Sequence, residues 1–133
     1  MRGFVGNIEQ LTEANHDFRR VLYTGRYLQL VLMTLLPGAD IGAETHADHD
    51  QFFRIETGKG IARIEGVNHA IEDGDAIIVP AGTHHNILNN GTAPLFLYTL
   101  YGPPNHRDGV QFVTRKEAED AREKFDGRTT ETS

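Results

Sequence analysis

Short runs rich in Val, Ile, Leu, Phe and Tyr recur along the chain, each closed by a segment carrying Gly, Pro or Asn. That alternation restricts the fold more than any other feature, because it is the sequence habit of an antiparallel sandwich or barrel. Strands are expected near Arg20–Tyr23, Tyr27–Leu36, Phe52–Glu56, Gly60–Glu65, His69–Glu72, Ala76–Val79, His84–Leu88 and Leu95–Tyr101. The breaks fall at Gly25, Pro37-Gly38, Thr57 to Gly60, Gly66 to Asn68, Asp73-Gly74, Pro80 to Gly82 and Asn89 to Gly91. Asn90-Gly91 is a strong turn signal because both residues tolerate positive φ.

The run from Leu30 to Leu36 is apolar at both parities, where a sheet with one wet face would alternate. One face should line the interior, and the other should meet a second sheet or a partner subunit, which hints at a homodimer. The tail changes period. Thr114 and Glu117 fit a capping box, and Ala118, Ala121 and Phe125 fall on one helical stripe. A single short C-terminal helix over about 115–125 is expected, with a frayed polar end beyond Gly127. At 133 residues the chain should make one domain, 1–133, with a core of its own.

Composition narrows the chemistry. There is no cysteine, so disulfides, thiolate metal sites and a cysteine nucleophile are excluded. The net charge of −6 is spread along the chain without a basic stripe, which argues against nucleic acid and anionic membranes. The N-terminus lacks the apolar core of a signal peptide, and no apolar run approaches the ~20 residues that span a bilayer. A soluble cytoplasmic protein is expected.

Two segments carry most of the chemical signal. The first runs from Gly38 through Glu44, His46 and Gln51 to Gly58; the second runs from Gly74 through Pro80, Gly82 and His85 to Asn89. Imidazole, carboxylate and amide oxygen are what a first-row divalent cation accepts, and both segments sit between β-type runs. The second segment reads Gly, five residues, Pro-x-Gly, two residues, His, three residues, Asn. In every element it resembles the second signature motif of the cupin superfamily. The first resembles the first cupin motif with two exchanges: Glu44 stands where a His is usual, and Gln51 where a Glu is usual.

The resemblance covers about residues 21–103 and implies a cupin double-stranded β-helix, a jelly-roll-like antiparallel barrel. It also implies a ligand set of Glu44, His46, Gln51 and His85. Two imidazoles, one carboxylate and one amide keep the first-shell charge of the usual three imidazoles and one carboxylate. Gln51 either binds the ion directly or stands just behind the ligands. The set resembles in composition that of zinc-dependent mannose-6-phosphate isomerases. One divalent ion is expected: Fe, Mn, Ni or Zn. Cupins include dioxygenases, isomerases and lyases, so a metal-dependent enzyme acting on a small polar molecule is expected. The other reading is a non-catalytic binding or sensing cupin.

Parity assigns the neighbours. Phe53, Ile55 and Ile87 should line the interior, with Phe52 and Arg54 outward. His84 should face away from His85, and His49 should lie in a turn in solvent. His16 and His69 carry no functional signal. Tyr98 and Tyr101 are three apart on one strand, so at most one faces the cavity. His106 follows a strand that should end near the barrel mouth. Tyr98, Tyr101 and His106 are the candidates for proton transfer.

Overall fold

The computed structural model describes residues 2–132; Met1 and Ser133 lie outside the described residues. All eight expected runs form strands. In chain order the elements are α1 (Ile8–Ala14), β1 (Arg19–Thr24), β2 (Gln29–Leu35), β3 (Asp50–Thr57), β4 (Lys59–Ile64), β5 (Val67–Glu72), β6 (Ala76–Val79), β7 (His85–Leu88), β8 (Leu95–Gly102), β9 (Gln111–Phe112) and α2 (Arg115–Ala121), followed by a 3-10 turn at Thr130–Thr132. One sheet has the order β6-β3-β8-β2-β1-β9 and the other β5-β4-β7. Every pairing is antiparallel. Bridges from Asp40 to Leu88 and from Glu44 to His85 lay the segment after β2 along the free edge of β7.

The core lies between the two sheets and follows alternation on β3 and β8. Odd positions of β8 (Leu95, Leu97, Thr99, Tyr101) are buried, as are Gln51, Phe53 and Ile55 of β3. Their even neighbours are half-buried on the outer face. Gly58 and Gly60 flank the β3–β4 crossing because two backbones meet there. A Cβ on Gly58 would sit 2.9 Å from the Pro94 carbonyl oxygen, and one on Gly60 would sit 2.5 Å from that of Leu88.

On the outer face of β2, where a second sheet or a partner subunit was expected, this chain's own N-terminal segment is seated. Helix α1, absent from the sequence reading, is capped by Asn7, whose side chain accepts from the Gln10 N–H. Past its end, Asn15 Nδ2 donates to Thr34 Oγ1 on the outer parity of β2, and Thr34 N–H donates to the Asp17 carbonyl. Leu32 of the same parity is 1% exposed. Upstream, the Phe4 ring lies 6.3 Å from that of Tyr23.

Three further expectations are corrected. The C-terminal helix ends at Ala121 rather than Phe125, because Arg122 turns left-handed at φ 48°. Ala118 is buried as the helical stripe requires, but Ala121 is exposed. The tail is tied down rather than frayed: the Thr24 N–H donates to Thr130 Oγ1, whose hydroxyl donates to Asp108. At Asn90-Gly91 neither residue takes positive φ; the turn is made by Asn89 Oδ1, which accepts from the Gly91 N–H. Among the described residues, no helix is long and apolar enough to cross a membrane.

Candidate metal centre

Backbone pairing brings the two sequence segments together. Glu44 and His85 exchange both N–H···O bonds at 2.9 Å, and the Gly82 N–H donates to the His46 carbonyl at 2.7 Å. Gly82 takes φ +84° at that turn, a conformation that favours glycine. Asn89 closes the second segment from inside, its Nδ2 donating to the carbonyls of Leu35 and Ala93. Asp50 fixes the other side by accepting from the Ala81 N–H. The functional side chains therefore hang from a rigid strand junction.

At this junction the donor atoms of Glu44, His46 and His85 lie within 4.8 Å of one another. Gln51, 2% exposed, joins them from β3. Its Nε2 donates to Thr99 Oγ1 at 2.9 Å, which turns the amide oxygen towards His85 Nε2 at 3.2 Å. His85 Nδ1 faces the Thr83 carbonyl at 3.0 Å, so that nitrogen carries the ring proton and Nε2 presents a lone pair. Two acceptors thus face each other beside a carboxylate. A cation satisfies all three, and the donor set of nitrogen and oxygen fits a first-row divalent ion. His46 Nε2 and Glu44 Oε2 lie 2.7 Å apart, a hydrogen bond that a bound ion would replace.

The local field keeps these ligands ready. Burial alone would raise Glu44, but the hydrogen bond and charge of His46, with Arg19 and His85 beyond, hold its carboxyl below the ordinary value. Burial lowers His85, against the opposing pull of the Thr83 carbonyl and Glu44. Both are in the deprotonated form a metal needs at neutral pH.

The proton-transfer candidates separate. Tyr98 sits on the outer parity of β8, its ring 6.3 Å from that of Phe52, and takes no part in the centre. Tyr101 points inward, 2% exposed, with its ring 5.9 Å from His46. Burial and the charge of Glu44 push its hydroxyl well above the usual tyrosine value, so it stays protonated. His106 does not reach the ligand atoms. It stands behind Tyr101, with Nε2 3.3 Å from the hydroxyl and Nδ1 2.7 Å from Glu123 Oε1. Gln29 fixes this histidine by accepting from the His106 N–H and donating to its carbonyl. Burial pushes the His106 imidazole down, opposed by Glu123; the His106 and Arg107 N–H bonds keep Glu123 ionised despite its own burial.

Three residues near the centre escaped the sequence reading. His49 is not in solvent: its ring lies 4.4 Å from His46 and 5.3 Å from Tyr101, and its buried Nε2 has no hydrogen-bond partner. Burial, with the charges of His46 and His106, pushes it down to about 4. Glu123 was expected on a helix; the left-handed Arg122 instead turns the chain back over the mouth, where Phe125 N–H bonds the Asn105 carbonyl. Arg19 begins β1 one residue before the expected start and shares the inward parity of Val21. Of these, only Arg19 had a signal, the parity of a strand whose start was misplaced. His84, by contrast, faces away as expected and meets Thr45.

Two cavities reach the centre. One of about 320 Å³ opens on the side of Glu44, Arg19 and His106. The other, about 400 Å³, is lined by His46, His49 and Asn105 on the far side of the returning C-terminal segment.

Comparison with known proteins agrees with this architecture. The chain is 46% identical over 121 residues to the YrkC protein of Bacillus subtilis, covering 86% of this chain and 65% of that one, just under two thirds of its length. It is 41% identical over 119 residues to the L612 protein of Acanthamoeba polyphaga mimivirus, covering 86% of this chain and 74% of that protein. The crystal structure of BH2720 from Bacillus halodurans superposes with a TM-score of 0.88 at 42% identity, covering 90% of this chain and 95% of that one. The Cupin_2 family, described as a cupin domain, matches residues 31–101, and with the paired β-sheets and the Glu44–His46–His85 cluster this establishes that the chain belongs to the cupin family.

Proposed function

We propose that this cupin binds one divalent cation of the iron, manganese, nickel or zinc class through Glu44, His46, Gln51 and His85, and uses it on a small polar molecule. The observation that carries the reading is that Glu44, His46 and His85 each bring one ligand atom within 4.8 Å of the others, with Gln51 Oε1 3.2 Å from His85 Nε2. Thr99 and Thr83 hold both groups in that orientation, so the arrangement is built rather than incidental.

The reaction is of dioxygenase, isomerase or lyase type. A cation held there supplies Lewis acidity towards an oxygen of the bound molecule. The chain's own residues do the rest. Glu44 offsets one charge, leaving a centre that attracts carboxylate, diolate or enolate groups. Tyr101 presents a protonated hydroxyl beside His46 as the group able to give a proton to the bound molecule, and His106, itself held by Glu123, orients that hydroxyl from 3.3 Å. A buried proton donor held in place beside the candidate ligands favours turnover over a module that only binds.

The test is to load the protein separately with iron, manganese, nickel and zinc and assay each form against pooled hydroxy-acids, diketones and sugar phosphates. Product formation that is lost in Glu44→Ala and reduced about a hundredfold or more in Tyr101→Phe is the expected result. Thermal stabilisation by a ligand with no product from any metal form would make the protein a binding module.

A further inference from the structure

Arg19 is a charge without a partner. It is 8% exposed, and its Nε is buried with no hydrogen-bond acceptor. No carboxylate among the described residues comes within ion-pair distance of it. Its guanidinium lies 5.3 Å from the Phe18 ring centroid, a contact that supports the planar group but does not neutralise it. A buried arginine stays protonated, so leaving it unpaired is costly. The fold keeps it nonetheless.

The side chain lines the cavity of about 320 Å³ that also reaches Glu44 and His106. The other charges there are engaged. Arg115 is bound by Asp40 and Glu119, and Glu123 is bound by His106 and the Arg107 N–H. Arg122 is exposed. Glu44 and Glu123 both feel the charge of Arg19 without pairing with it, and the ligand reading above commits Glu44 to the metal. With the metal in place, the ion and the Arg19 guanidinium are two positive centres facing one cavity, and Arg19 has no direct anionic partner there.

We propose that Arg19 anchors the carboxylate of a small carboxylic acid, whose other oxygen-bearing end lies towards Glu44, His46 and His85. This rests on the metal reading and names the substrate class for it. A carboxylate is favoured over a phosphate because one planar fork matches one planar anion, while the ionised Glu123 on the same wall opposes a dianion more than a single charge. The cavity lies at the small end of ligand sites, so the acid is small.

The experiment uses the zinc form, which is redox-inert, after elemental analysis has established its metal content. Acetate, oxalate, 2-hydroxybutanoate and 2-oxobutanoate are titrated calorimetrically up to millimolar concentration, each beside its methyl ester. At least one acid should bind while its ester binds at least about tenfold more weakly. Arg19→Met should lower affinity for that acid about tenfold to a hundredfold, leave the ester unchanged and keep full zinc; Arg19→Lys should recover part of the loss. Equal binding of acid and ester, no acid bound, or acid affinity unchanged in Arg19→Met overturns the proposal. Failure of the parent protein to hold zinc defeats the metal reading instead, and is seen before any acid is added.

Discussion

Thr99 is the residue on which the amide of Gln51 depends. It is wholly buried on β8 and is the partner of Gln51 Nε2. Thr99→Val keeps the shape but frees the amide to rotate, so metal affinity should fall about tenfold to a hundredfold, read by competition with a chelator, with the fold intact. Three imidazoles behind or beside the centre, His49, His85 and His106, are all held below the ordinary value, His49 at about 4 against 6.5. In the metal-free protein the unfolded chain takes up protons at these histidines as pH falls through about 6.5, before the folded chain does. Stability is therefore present above that value and is lost on the way down towards 4. Glu44 and Glu123, also lowered, extend the loss to still lower pH. Melting temperatures of the metal-free protein should fall between about pH 7 and about pH 5, and His49→Phe should flatten that slope. A slope unchanged by the substitution would remove His49 from the account.

At the scale of elements, the decisive device is the end of α2. An arginine at φ 48° is strained, and the return of the chain to place Glu123 against His106 offsets that strain. Arg122→Gly should stabilise the fold by about 0.5–1 kcal/mol in denaturant titration, since glycine reaches this conformation freely. The helix was visible in Thr114 and Glu117, and the Thr114 hydroxyl does accept from the Glu117 N–H. Its end was not, because the stripe of Ala118, Ala121 and Phe125 continues past a stop imposed by a contact with residue 106. Strands fared better. Phe53, Ile55 and Ile87 fell inside and Phe52 outside on parity alone, since burial of one sheet face dictates every second residue. Helix α1 has only Leu11 and Ile8 as apolar signals, and its place depends on Asn15 meeting Thr34 in the fold. The histidine in the turn, His49, obeyed no period, so only the folded turn could show it packed against His46.

Across the whole molecule, two sheets, an N-terminal cover and a returning C-terminal strap converge on one centre. The cover is the part least tied to that centre. Removing residues 2–14, which takes away α1 but leaves Asn15 and Phe18 in place, should lower the melting temperature without displacing the candidate ligands. The centre itself makes the sharpest demand on the account. Protein loaded with a divalent ion, dialysed against buffer and analysed for metal should retain about one equivalent per chain. Gln51→Ala should keep the ion at reduced affinity, and the His46→Ala, His85→Ala double variant should lose it. Full metal occupancy in that folded double variant, or none in the parent protein, would contradict the assignment of this junction as a metal centre.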